Sequence, residues 1–109
     1  MSKFLYLYRG PATPPDQFTP DQAAEQLKLW TEWMGRIGSA LVDAGAPLGA
    51  RVAVVDDGTT AEASDQNGYS IVEAGSLADA RRLLDGHPFL SEGSGRFSVE
   101  VFELVPIPM

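Results

Sequence analysis

Near each end of the chain, one segment would present apolar side chains on both faces if it formed a β-strand. Successive side chains of a strand point to opposite faces, so residues 3–9 place aromatic groups on one face and leucines on the other. Residues 97–105 also carry large apolar groups on both faces. This pattern is typical of strands in a covered sheet. We therefore predict that both segments are strands of a sheet covered on both sides.

A long amphipathic helix is predicted after the proline-rich loop at residues 10–20. Thr19 can cap it with its hydroxyl group, and Pro20 suits the first helical position. Apolar residues then recur at intervals of three and four, which is the spacing of one buried helix stripe. The stripe contains Leu27, Trp30, Met34, Ile37, Leu41 and Ala44. Gly45 predicts the end of the helix, because glycine readily adopts the left-handed conformation of a helix cap.

Two more strands and a second helix complete the pattern. Residues 50–55 and 69–74 are rich in residues that favour strands. Ser76 can cap a helix over residues 77–84, and Gly86 ends it. The order strand–helix–strand–strand–helix–strand is typical of the ferredoxin-like α+β fold (βαββαβ), an antiparallel sheet with two helices on one face.

The second face of such a sheet is bare in a monomer, and here it would carry apolar side chains. Apolar surface of this kind marks an interaction site. We therefore expect a homodimer in which two sheets pack face to face. The 109 residues, 44% of them hydrophobic, are expected to form one domain over residues 1–109.

The net charge of −7 and the absence of cysteine narrow the range of functions. An acidic chain with scattered basic residues is unsuited to nucleic acid or an anionic membrane. One histidine without cysteine cannot supply the usual transition-metal site alone, and carboxylates would have to help. No apolar stretch approaches the roughly 20 residues of a membrane helix. We expect a soluble, cytoplasmic protein that uses no metal or other cofactor and binds neither nucleic acid nor membrane.

Two residues are candidates for acid–base catalysis. His87 is the one histidine and could act as general acid or base near neutral pH; the alternative is a loop residue after the second helix. Glu100 lies inside the last strand, where burial could raise its pKa. It could equally face water, or pair with Arg9 or Arg51 across a dimer. Glu73 in the third strand is a further carboxylate of this kind.

Aromatic residues could form a ligand pocket between the first helix and the sheet. Tyr6, Tyr8 and Trp33, with Arg9, would suit a small hydrophobic or aromatic molecule. The alternative is that the aromatic residues belong to the core and the dimer interface. Trp30 lies on the main stripe of the helix, which favours the core, whereas Trp33 lies beside it and is the better pocket candidate.

Several short motifs occur in an order that resembles the DGPF-motif branch of the YCII-related family. They are FLYLYRG at residues 4–10, WTEWM at 30–34, AGAPL at 44–48, DG at 57–58, GYSIVEA at 68–74, SLADA at 76–80 and VEV at 99–101. The resemblance implies a dimeric ferredoxin-like α+β barrel. A histidine–aspartate pair has been proposed as catalytic in the YCII branch. Trp30 stands about where that histidine would be, and the DGPF motif is reduced to DGTT, so the catalytic assignment does not carry over.

Three functions are compatible with these observations. The first is a homodimer that binds a small hydrophobic or aromatic molecule. The second is a cofactor-free enzyme for a proton-transfer, lyase or dehalogenating step, with His87 or Glu100 as base and Tyr6, Tyr8 and Arg9 as orienting groups. The third is an interaction module without a ligand. An enzyme needs a titratable group facing a cavity, whereas a binding protein needs only the cavity.

Overall fold

The computed structural model describes residues 1–11 and 19–108. Most of the predicted loop at residues 10–20 therefore lies outside the described residues. The elements in chain order are strand β1 (Ser2–Arg9), helix α1 (Pro20–Ile37), strands β2 (Leu41–Pro47), β3 (Ala53–Val54), β4 (Thr60–Ala61) and β5 (Gly68–Ala74), helix α2 (Leu77–Arg82) and strand β6 (Ser98–Leu104). Short 3-10 turns cover Gly38–Ala40 and Pro88–Leu90.

The main sheet has four strands in the order β2–β5–β1–β6. β1 lies at the centre and pairs antiparallel with both β5 and β6, and β2 pairs antiparallel with β5. β3 and β4 form a separate two-stranded hairpin. The α+β prediction is confirmed, and the strand order is compatible with a ferredoxin-like fold.

Both helices pack on the sheet face that carries the aromatic side chains of β1. Tyr6 and Trp33 of α1 have ring centroids 6.5 Å apart, and the Tyr6 hydroxyl donates to the Ala80 carbonyl of α2. Burial of these large rings removes apolar area from water and so stabilises the domain. The core consists of Phe4, Tyr6, Tyr8, Trp33, Val72, Ala74, Ala80 and Leu84.

Helix α1 begins where the sequence predicts and ends earlier. The predicted cap by the Thr19 hydroxyl is confirmed by its bond from the Gln22 backbone amide. The Gln22 side chain also accepts from the Thr19 amide, which completes a capping box. The helix stops at Ile37, and Gly38 follows with a φ of 56°, which favours glycine. The prediction that Gly45 ends the helix is wrong: Gly45 lies inside β2, with a φ of 76°.

The second strand of the main sheet also differs from the prediction. Leu41–Pro47 takes the place beside β5, whereas only Ala53–Val54 of the predicted strand at residues 50–55 is extended, and it pairs with β4. The pairing of β2 with β5 shifts register twice. Register shifts interrupt the two-residue alternation of a regular strand. Leu41 and Ala44 fit the three- and four-residue spacing of α1 instead, and for this reason the sequence predicts that the helix continues to Gly45.

The N-terminal half of α1 extends away from the core. Leu27, which belongs to the predicted apolar stripe, is 68% exposed. Contact with the core begins at Trp30 and continues through Met34 and Ile37. Within α1, the apolar stripe is therefore buried only along the second half of the helix.

The opposite face of the sheet is covered by no helix among the described residues. In the centre of this face, Leu5 of β1 lies between Ile71 of β5 and Phe102 of β6. Leu5 and Ile71 are half-buried, and Phe102 is 47% exposed. This apolar sheet face, defined by Leu5, Leu7, Tyr69, Ile71 and Phe102, is bordered by the charged residues Lys3, Glu73 and Glu100.

Candidate functional site

His87 lies in the core, between the helices and the sheet. Its side chain is 1% exposed. The ring centroid lies 4.2 Å from that of Trp33 and 4.6 Å from that of Trp30. The Tyr8 ring closes a third side at 5.2 Å. Protein rings thus fill the space around the imidazole that a substrate would need.

A directed chain of hydrogen bonds fixes the protonation state of His87. The Phe89 amide donates to Nδ1 over 3.0 Å, so the proton of the neutral ring is on Nε2. Nε2 then donates to the Tyr8 hydroxyl at 3.1 Å. Tyr8 donates to Ser70 Oγ at 2.8 Å, and Ser70 donates to the Ala44 carbonyl at 2.9 Å. Every polar side-chain atom in this series of hydrogen bonds has a partner, as buried polar groups require.

The surroundings of His87 disfavour its charged form. Burial, followed by the positive charge of Arg36, lowers the pKa of His87 from 6.5 to about 4. Protonation of Nδ1 would also remove the acceptor of the Phe89 amide. Burial likewise raises the pKa of Tyr8 to about 12. The pair is therefore neutral near pH 7 and has no open position for proton exchange with a ligand.

The aromatic residues proposed to line a pocket are core residues here. Tyr6, Tyr8 and Trp33 are at most 4% exposed. The hydroxyl of Tyr6 and the indole nitrogen of Trp33 donate to backbone carbonyls of Ala80 and Leu83. Trp33, the better pocket candidate by sequence, is the more deeply buried of the two tryptophans. These side chains have no surface to offer a ligand in this structure.

Glu100 and His87 are not brought together. Glu100 stands opposite Leu7, on the sheet face away from His87, and accepts a hydrogen bond from the side-chain Nε2 of Gln66 at 3.2 Å. Glu73 is on the same face as Glu100, opposite Lys3 of β1. The two candidate bases are therefore separated by the sheet and cannot act on one substrate atom.

Arg9 lies apart from the aromatic residues with which it was grouped. It is exposed at the end of β1, opposite Ser98 of β6. There it lines a polar cleft of about 270 Å³ together with Asp65 and Arg96. No ion pair of Glu100 with Arg9 or with Arg51 occurs within the described part of one chain.

An open groove, which the sequence did not single out, runs between α2 and β6. Its volume is about 570 Å³. Its apolar lining is Leu77, Leu84, Leu90, Phe97, Val99 and Val101, and its polar lining is Arg81, Asp85 and Ser98. The signal was present as the i, i+4, i+7 spacing of Leu77, Arg81 and Leu84, but only the packing of α2 shows that this flank faces β6. We call this feature the α2–β6 groove.

The described residues contain neither a metal-binding cluster nor a membrane-spanning helix. Across residues 1–11 and 19–108, no three histidine, cysteine or carboxylate side chains are close enough to hold a metal ion. No helix in the same residues is long and apolar enough to cross a membrane. Comparisons with models of protein families, with curated proteins and with solved structures gave no match for this chain.

Proposed function

We propose that this chain is a homodimeric binding protein for small apolar or aromatic molecules, and that the ligand lies in the α2–β6 groove. The observation that carries the proposal is the groove itself. Its volume of about 570 Å³ falls within the range of small-molecule sites, roughly 300–1,000 Å³. Apolar side chains line most of it, and Arg81, Asp85 and Ser98 add a few polar groups, a composition typical of such sites.

Exposed apolar side chains at the groove support a binding role. Leu77 is 58% exposed and Leu90 is 38% exposed, although both lie beside the buried Leu84. A ligand that covers this surface removes apolar area from water, at about 25 cal/mol for each Å². The pocket first expected under α1 is filled by its own aromatic rings, which supports the groove as the alternative position.

The apolar sheet face supports the homodimer. Leu5, Ile71 and Phe102 form a contiguous apolar centre on that face, and a partner of the same shape would cover it. The Cα radius of gyration is 15.7 Å, whereas a compact domain of this length has about 13 Å. Elements that extend from the core are available for contact with a second copy. The groove lies on the other side of the sheet, so both surfaces can be occupied together. The resemblance to the YCII-related family stays a prediction.

The same geometry argues against the catalytic alternative. Both ring nitrogens of His87 are engaged inside the core, and Glu100 is on the opposite sheet face. A general base must reach the proton that it removes. Neither residue faces the groove, so we favour binding without chemistry.

A thermal-shift screen with small aromatic compounds tests the ligand proposal. A specific ligand stabilises the protein by about 2.7 kcal/mol at a hundred times its dissociation constant. Leu77→Glu places a charge in the groove at an exposed position, and Leu27→Glu is the matched control on the exposed part of α1. We expect a hit to stabilise the wild type and Leu27→Glu but not Leu77→Glu. Equal shifts in all three proteins, or no hit in a broad library, would overturn the proposal.

Light scattering tests the homodimer. The wild type is expected to have twice the monomer mass at micromolar concentration, and Phe102→Glu to be a monomer because it places charge in the sheet interface. Leu27→Glu should remain a dimer. A monomeric wild type would contradict this part of the proposal and leave the groove untouched.

One observation favours a second candidate, an interaction module. β6 is an edge strand without a proline or a register shift, whereas the other edge strand, β2, has two shifts and ends at Pro47. A regular edge can pair with an added strand. Peptides selected on the immobilised protein would then shift the amide resonances of β6. Selected peptides that leave β6 unchanged would exclude this mode.

A further inference from the structure

Two opposite charges line the α2–β6 groove without pairing. Arg81 and Asp85 both belong to its lining. Neither forms an ion pair with a residue that the structure describes. The neighbouring Arg82, by contrast, pairs with Asp79 at 2.6 Å. The groove therefore presents one cation and one carboxylate that are available to a ligand.

Arg81 and Asp85 come from consecutive turns of the chain, and both line the groove. α2 ends at Arg82, and the chain continues in a tight turn in which the Asp85 amide donates to the Arg82 carbonyl at 3.1 Å. The last turn of α2 thus supplies Arg81 and the turn that follows supplies Asp85, both beside the apolar residues of the same lining.

Resting on the proposed function, we infer that the groove takes an apolar zwitterion of the amino-acid type. Its carboxylate would meet Arg81, its ammonium group would meet Asp85, and its side chain would lie against Leu84, Phe97 and Val101. A simple carboxylate would gain the attraction of Arg81 but face the repulsion of Asp85, and a simple amine would meet the reverse. A molecule whose carboxylate and ammonium groups are bonded to the same carbon atom would be attracted by both residues at once.

A set of matched ligands and variants tests this inference. The ligands are L-phenylalanine, 3-phenylpropanoate, which lacks the amine, and 2-phenylethylamine, which lacks the carboxylate. Binding is followed by amide chemical shifts, which detect weak complexes. The variants are Arg81→Gln and Asp85→Asn, and Arg82→Gln is the control because Arg82 already has a partner. Each lost exposed charge contact is expected to weaken binding on the order of threefold.

The expected pattern links each ligand group to one residue. L-Phenylalanine should bind most tightly to the wild type, with shifts in β6 and α2. Arg81→Gln should weaken L-phenylalanine but not 2-phenylethylamine, since that ligand has no carboxylate to lose. Asp85→Asn should weaken L-phenylalanine but not 3-phenylpropanoate. Arg82→Gln should change none of them.

The failures of the two proposals are distinguishable. If all three ligands bind equally well and neither variant matters, the zwitterion inference is wrong and the groove remains a binding site. The same holds if none of the three binds while a compound from the thermal-shift screen does, and loses its effect with Leu77→Glu. If no compound of any charge binds the groove, the proposed function itself fails.

Discussion

The Nε2 atom of His87 lies 3.1 Å from the hydroxyl oxygen of Tyr8, and this contact joins the one histidine of the chain to the central strand of the sheet. Because Nδ1 accepts from the Phe89 amide, the bond has a fixed direction, from imidazole to hydroxyl. The contact thereby ties the turn after α2 to β1.

The pH dependence of unfolding should report this role. The pKa of His87 is about 4 in the folded protein against an ordinary value of 6.5, so the unfolded chain binds a proton first as the pH falls. The contribution of His87 to the free energy of unfolding is fully present above pH 6.5. It is lost progressively as the pH falls towards 4, and below pH 4 it changes no further. The loss from this group is on the order of 3 kcal/mol. Urea denaturation at several pH values measures it.

Carboxylates also titrate in the lower part of this range, so the comparison needs a variant. In His87→Gln the side-chain amide nitrogen can donate to Tyr8 in place of Nε2, and the amide does not titrate. We expect the stability of this variant to change much less between pH 7 and pH 5 than that of the wild type. Parallel curves for the two proteins would contradict a buried neutral histidine. Nuclear magnetic resonance of the imidazole should also show no titration between pH 5 and pH 8.

The hydroxyl of Tyr8 should contribute to stability through both of its partners. Tyr8→Phe leaves the Nε2 proton of His87 without an acceptor and removes the donor to Ser70, at a cost of about 1–3 kcal/mol. Ser70→Ala in the same background should cost less than it does alone, because the two groups share one chain. Tyr69→Phe is the control, since its hydroxyl makes no hydrogen bond to a described residue. Additive effects of the two substitutions would argue against a coupled chain.

Local signals made much of the fold predictable. The cap at Thr19, the cap at Ser76 and the alternation within β1, β5 and β6 depend on neighbouring residues, and the structure confirms all of them. β2 was not predictable in this way, because its extended form depends on pairing with β5 across two register shifts. Tertiary contact overrides local spacing at such edge strands.

The candidate site was less predictable than the fold. Residue type and spacing indicate His87, Tyr8 and Trp33 as candidates, but the rings of Tyr8 and Trp33 both pack against His87, and their burial follows from this packing. The α2–β6 groove joins residues from α2, the following turns and β6, which are far apart in sequence. Only the packing of α2 on the sheet shows that they meet, and no local pattern carries that information.

Two glycines should respond to alanine in opposite directions. Gly45 has a φ of 76°, and a Cβ there would overlap the Tyr69 carbonyl of the neighbouring strand. Gly45→Ala should therefore destabilise the protein by more than about 2 kcal/mol. Gly35 lies inside α1, and a Cβ there would meet no atom within 4 Å, so Gly35→Ala should stabilise by about 0.5–1 kcal/mol. Thermal denaturation measures the change in stability of both variants. A Gly45→Ala protein as stable as the wild type would show that β2 can adopt a different backbone conformation.

Residues 48–67 form an arm that carries β3 and β4. Arg51 should stabilise the base of this arm. Its guanidinium group donates to four backbone carbonyls, those of Leu48, Gly49, Ser64 and Gln66. A lysine keeps the charge but loses the planar fork that reaches several acceptors at once. Arg51→Lys should therefore loosen the arm while the core, which Arg51 does not enter, keeps its stability.

Amide hydrogen exchange can separate these two effects. We expect faster exchange in the Arg51→Lys protein for Val55, whose amide donates to Thr59 within the arm at 2.8 Å. Exchange in β1 and β5 should be unchanged, since it reports global unfolding. Arg82→Lys, at an exposed ion pair, should leave both regions as they are. If Arg51→Lys accelerated exchange equally in the arm and the sheet, Arg51 would be stabilising the whole domain and not the arm alone.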